Sequence, residues 1–235
     1  MCRFRREFQE KFHWVLVHQM SCALHNSNTT VGKICGYPEI KKVISNNARV
    51  VSFFSRSHYW GGQLNEVAKK AGITRSLQTH SDTRWYTLIK QAMSVKEYHY
   101  ALNQICLRDD AQKKTNGFSP VNADVVRIVC WEKDQWDLNE QLIRYAKPLV
   151  DMIGNLESRD ASLADVMIEL LKCARTLQKM PTYDTDNLHF LQHTRTEFDK
   201  GFHLMNTDLA FFALFLHPLC RKLALKQKRN SRTMR

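Results

Sequence analysis

The sequence lacks the marks of several protein classes. No run of about 18 consecutive apolar residues occurs, so nothing reads as a membrane-spanning helix. The opening stretch MCRFRREFQEKF is charged and has no apolar h-region, which argues against a secretory signal peptide. The seven cysteines, at positions 2, 22, 35, 106, 130, 173 and 220, form no CxxC pair and are odd in number. That scatter fits reduced thiols in the cytosol or nucleus and not a disulfide framework. There is no internal repeat. Low complexity is confined to the C-terminal tail, and no acidic residue follows Asp208.

What is present is basic charge and helical periodicity. The 235 residues suffice for one large domain or two small ones, and 43% apolar content allows a sizeable core. Lysine and arginine exceed aspartate and glutamate by 35 − 23, a net charge of +12. Such a field favours polyanions, nucleic acid above all. The tail CRKLALKQKRNSRTMR adds seven basic residues, among them Arg221, Lys222, Lys226, Lys228 and Arg229. It reads as a disordered phosphate-binding arm or a nuclear signal.

The periodicity predicts a small α/β start followed by a long helical array. Phe12 to Val17, FHWVLV, is short, aromatic and β-branched, the pattern of a strand. The segment SCALHNSNTTVGKICG predicts a helix with Leu24, Asn28, Val31 and Cys35 on one side, stopping at Gly36. Pro38 opens the next helix, with a break at Asn46 and Asn47. Gly61 and Gly62 suggest a bend before a short helix, QLNEVAKKAG. The stretch from Ile73 reads as extended, with Asp82 or Thr83 capping a helix that starts at Arg84. KKTNGFSPVNADV, residues 113–125, is the best loop and the candidate boundary between two regions. Strong amphipathic helices follow, one of them opened by an S-x-x-D capping pattern at Ser162 and Asp165. The segment DLAFFALFLHPLC reads as core helix.

Three clusters could carry chemistry. Cys22 and His25 offer half of a zinc set, which Cys35, His18 or His13 would have to complete, without finger-like spacing. A Cys-His nucleophile would need an orienting third group and an oxyanion site, and no local signature supplies them. On a helix the two residues share a face, which suits a structural role with Cys22 as a small hydrophobe. In SDTRWYTL, Arg84 offers a fork for phosphate and Trp85 a stacking face for a base. The residues alone favour the other reading, with Trp85 packed in the core and Arg84 paired with a neighbouring carboxylate. Asp109, Asp110, Asp134, Asp137 and Asp160 read as solvated helix faces and not as a magnesium cage.

Taken in order, SCALHNSNTTVGKI, KKVISNNARVVSFFSRSHYWGGQL, DTRWYTL and FFALFLHPLCRKLAL resemble landmarks of the hAT superfamily of transposases, closest to fungal hAT-like proteins. The first is similar to the family's C-x-x-H box and the third to its T-R-W box. The resemblance implies a mainly α chain with a partial RNase H-like α/β core over residues 1–112, a large helical insertion over 113–225 and a basic tail over 226–235. It implies a structural role for Cys22 and His25 near the active site, and DNA contact for Trp85 beside Arg84. The family cleaves phosphodiesters with two aspartates and a glutamate that hold two metals. Before Cys22 this sequence has no aspartate, only Glu7 and Glu10. The resemblance therefore implies a middle piece truncated at both ends, with no catalytic residue, metal or cofactor. It also implies weak, non-specific DNA binding, a nuclear location and no membrane partner. Oligomerisation is not expected, because the family's C-terminal dimerisation segment has no counterpart. The alternative is a helical scaffold with no DNA role.

Overall fold

The computed structural model describes residues 2–14, 21–81, 84–114 and 120–220. Among the described residues every regular element is a helix. The first group is α1 (Cys2–Lys11), α2 (Ala23–Cys35), α3 (Pro38–Arg56) and α4 (His58–Lys70). The second is α5 (Tyr86–Glu97), α6 (His99–Cys106), α7 (Asp109–Gln112) and α8 (Ala123–Cys130). The third is α9 (Lys133–Leu156), α10 (Leu163–Gln178), α11 (Leu188–Met205) and α12 (Asp208–Leu216). The mainly α expectation is met, but the part-sheet of an RNase H-like core is not: no strand occurs among the described residues. In the FHWVLV segment Phe12 follows α1, His13 and Trp14 form a turn, and Val15 to Val17 lie outside the described residues. The stretch from Ile73 to Ser81 is non-helical, yet no neighbouring strand pairs with it. Two of its backbone N–H groups are met by side chains instead. Gln78 N–H donates to Ser94 Oγ at 3.0 Å, and Ser81 N–H donates to Thr87 Oγ1 at 2.8 Å. Strand propensity without a partner ladder leaves only an extended connector.

The helix boundaries follow local chemistry. Pro38 occupies the first turn of α3, where its missing N–H costs nothing. Ser162 and Asp165 complete a capping box at α10, with Ser162 N–H on Asp165 Oδ2 at 2.8 Å and Asp165 N–H on Ser162 Oγ at 3.3 Å. Asn187 and Thr207 cap α11 and α12 by accepting from Phe190 and Ala210 N–H. The helix α4 stops at Gly72, whose N–H reaches the Lys69 carbonyl while Ile73 N–H reaches that of Ala68. The bend expected at Gly61 and Gly62 lies at Ser57 instead, between α3 and α4. Gly61 sits inside α4, where a Cβ would fall 2.4 Å from the Phe54 carbonyl oxygen. The glycine thus serves a close approach of two helices and not a turn. The capping expected of Asp82 or Thr83 lies outside the described residues.

The expected break at Asn46 and Asn47 is also absent, because α3 runs through it. The two amides are buried and face α9. Asn46 Nδ2 donates to Gln135 Oε1 at 2.9 Å and to Glu132 Oε2 at 2.8 Å. Asn47 Nδ2 donates to Asn139 Oδ1 at 2.7 Å, and Gln135 Nε2 returns a bond to Asn47 Oδ1 at 2.9 Å. Asn139 closes the ladder on the Ala92 carbonyl of α5 at 3.1 Å. A tertiary partner thereby overrides the turn tendency of asparagine, and the amides fix the register of α3 on α9.

The helix α9 is central: it packs against α2, α3, α5 and α10. Apolar side chains gather in two clusters. One includes Val31, Ile34, Ile89, Leu142, Leu149 and Phe190. The other includes Val50, Trp60, Leu102, Ile105 and Ile128. Each cluster draws helices from both sides of the 113–125 loop. The helix α12 departs from its core assignment. Ala210 and Leu214 are buried against α10, but Phe212 and Leu216 are 55% and 62% exposed. Among the described residues its main packing is on α10, and the side carrying Phe212 and Leu216 is open.

Candidate nucleic-acid interface

The segments around the C-x-x-H and T-R-W boxes meet in space, at the junction of α2 with the start of α5. Trp85 occupies the N-cap position of α5 and makes no side-chain capping bond. An indole has only a donor, so it cannot accept from the orphan N–H groups of a helix start. The acceptor comes from α2: Asn28 Oδ1 receives Tyr86 N–H at 3.2 Å. This bond ties the two segments together.

The Trp85 ring lies on α2 at Gly32. A Cβ on Gly32 would be 2.8 Å from Trp85 Cγ and 2.9 Å from both Cδ1 and Cδ2. Near-equal distances to three ring atoms place the glycine against the face of the five-membered ring. The remainder of the side chain is open, with Trp85 46% exposed. The core reading of Trp85 is therefore corrected: the indole is backed on one face by helix backbone and remains half in solvent. It protrudes because it precedes the first helical turn, and the inward apolar positions of α5 belong to Leu88, Ile89 and Ala92.

Arg84 is exposed and pairs directly with no carboxylate among the described residues. Its Nη1 donates to the Tyr86 hydroxyl at 3.2 Å, and that hydroxyl donates to Glu157 Oε1 at 3.2 Å. The hydrogen bond to Tyr86 raises the Arg84 pKa further above its ordinary value, so the cation is permanent. Lys90 lies 4.8 Å from the Tyr86 ring centroid. Tyr86 and Lys90 line a cleft of about 440 Å³ that Glu157 and Asp151 also border. The arrangement offers a stacking face next to cations, with acidic groups on one side.

The other sequence-derived residues fare differently. Cys22 and His25 are both exposed, at the start of α2, and neither side chain hydrogen-bonds a described residue. Among the described residues no group of three or more His, Cys, Asp or Glu side chains could hold a metal ion. Arg221, Lys222, Lys226, Lys228 and Arg229 lie outside the described residues. Asp109, Asp134, Asp137 and Asp160 are exposed, and Asp110 pairs with Arg108 at 2.6 Å. The residues that sequence reading missed are Asn28 and Gly32. Both stand inside the quoted C-x-x-H segment, and the available signal was a glycine at a mid-helix position, where packing is the usual reason for it. Comparison of the chain with protein-family models, with curated proteins and with solved structures finds no match.

Proposed function

We propose that this chain is a catalytically inactive, hAT-derived helical protein that binds DNA weakly and without sequence preference, in the nucleus. The kinship rests on the order of four motifs, and the RNase H-like sheet has no counterpart among the described residues. The binding reading is carried by one observation: Trp85 is half exposed and backed by Gly32, beside the permanent cation of Arg84. The net charge of +12 supplies the long-range attraction. Lysines and arginines, with Arg221, Lys222, Lys226, Lys228 and Arg229 among them, meet phosphates and set no sequence preference. Trp85 adds stacking of about 1–3 kcal/mol for a base that reaches it.

The test is a salt titration of binding to single-stranded and duplex oligonucleotides, for wild type and Trp85→Ala. Wild type should bind both at low salt, and Trp85→Ala should weaken single-stranded binding more than duplex binding. Equal losses on both forms would remove the stacking role, and absence of binding by wild type would remove the reading. A helical scaffold is then the alternative, and one observation favours it. The outer side of α12 presents Phe212 and Leu216 to solvent, an apolar face suited to a protein partner.

A further inference from the structure

A second basic feature lies on α3, among residues that the motifs did not single out. Ser45, Arg49, Ser52 and Arg56 recur along one side of the helix, away from the buried Val43, Val50 and Phe54. They line an open groove of about 590 Å³ whose opposite wall includes Asn122 and Asp124 at the start of α8. Arg49 and Arg56 are exposed, and neither has a hydrogen-bond, ion-pair or ring partner among the described residues. Seven residues of helix separate them, about 10.5 Å along the axis. At that separation the two guanidiniums can each engage a separate phosphate of a chain.

Two further features match a polyanion. Ser57 is the N-cap of α4 and Asn122 the N-cap of α8, and both line the groove. The positive end of the α8 dipole therefore opens on it, while at Ser57 the N-terminus of α4 meets the C-terminus of α3 and the two dipole ends offset each other. The single carboxylate of the lining, Asp124, is met by Arg127 at 3.5 Å. Arg127 also pairs with Glu132, which Lys42 approaches at 3.5 Å. Among the lining residues Arg49 and Arg56 stand against Asp124, a local excess of one positive charge, 2 − 1. The hydroxyls of Ser45 and Ser52 have no partner among the described residues and can donate to phosphate oxygens.

We propose that the groove between α3 and the start of α8 is a track for a nucleic-acid sugar-phosphate backbone, with Arg49 and Arg56 each neutralising a phosphate. This rests on the nucleic-acid reading above and assigns phosphate contacts to residues other than Trp85 and the basic tail. Such contacts position the strand and read no base.

The experiment is a salt titration of the full chain on labelled duplex and single-stranded oligonucleotides, for wild type, Arg49→Ala/Arg56→Ala and Arg49→Lys/Arg56→Lys. Loss of two phosphate contacts should flatten the slope of log affinity against log salt by about 1.8 on duplex and about 1.4 on single strands. On duplex this amounts to about 60-fold weaker binding at 0.1 M salt, if the proteins converge at 1 M. The lysine pair should keep the wild-type slope. Both arginines are exposed and unpaired, and circular dichroism should show unchanged helix content. A wild type that binds while the alanine pair keeps its slope overturns the groove and leaves the nucleic-acid reading standing. A wild type that binds neither form overturns both. If the alanine pair loses affinity for polyglutamate and none for DNA, the groove accepts acidic protein and the proposal is refuted.

Discussion

Replacing Gly32 by alanine tests the placement of Trp85 through two opposed effects of known size. Glycine inside a helix is about 0.8–1.0 kcal/mol worse than alanine, so the substitution alone should stabilise α2 by up to that amount. The new Cβ would however stand 2.8 Å from Trp85 Cγ, well inside van der Waals contact. The indole must move by nearly 1 Å to restore ordinary separation, and such overpacking costs about 1–3 kcal/mol. In the wild-type background the two effects oppose each other, and Gly32→Ala should destabilise by about 0–2 kcal/mol. In a Trp85→Ala background the obstruction is gone, and Gly32→Ala should stabilise by about 0.5–1 kcal/mol. The assay is urea unfolding of the four proteins of the cycle, followed by far-UV circular dichroism. The expected coupling between the sites is about 1–3 kcal/mol, above the roughly 0.5 kcal/mol within which independent sites add. Equal stabilisation by Gly32→Ala in both backgrounds would show that the indole does not rest on α2. The stacking platform would then lose its support, whatever the binding data say.

Other consequences follow from the amide ladder, the capping box and the thiols. Asn139→Ala should cost about 1–3 kcal/mol in urea unfolding, because Asn47 Nδ2 loses its acceptor inside the core and the Ala92 carbonyl loses its side-chain donor. A loss under about 0.5 kcal/mol, the level of an exposed substitution, would refute the ladder. Ser162→Ala should cost about 1 kcal/mol through the lost cap of α10. Hydrogen bonds from Ser162 hold the Asp165 carboxyl below its ordinary pKa. Its contribution is present above the unfolded value of about 3.9 and is lost as pH falls through the lower folded value. A melting series from pH 6 to 2.5 should show this acid loss shrink in Ser162→Ala, and an unchanged acid limb would argue against the capping box. Burial pushes Cys35, Cys106 and Cys173 up to about 12. Native alkylation at pH 8 followed by mass spectrometry should label exposed Cys22 first and leave those three unmodified until the chain unfolds. Prompt labelling of any of the three would contradict the packing.

The sequence by itself determined the mainly helical class and several helix boundaries, because those depend on signals within a few residues. Pro38, the Ser162–Asp165 box and the Gly72 stop act through hydrogen bonds and dihedral preferences of their own turn. The apolar period of α3 was readable for the same reason: burial of Ile40, Val43, Val50 and Phe54 follows from helix geometry alone. Tertiary structure decided the sites where a local signal has two outcomes. Asn46 and Asn47 read as a break, and only the facing amides of α9 made them a buried ladder. Gly61 read as a bend, and only the Phe54 carbonyl made it a contact. The apolar run of α12 read as core, and only its one-sided packing on α10 left Phe212 and Leu216 in solvent. The strand expected from Phe12 is absent at Phe12, His13 and Trp14, and the rest of that segment lies outside the described residues; strand formation depends on a second segment that a local pattern does not contain. The candidate interface divides along the same line. Arg84 and Trp85 stood out from their chemistry, whereas Asn28 and Gly32 became functional candidates only when α2 came to rest against the start of α5. Helix formation is a local equilibrium, but burial and exposure are settled by what packs opposite, and that partner is dozens of residues away in the chain.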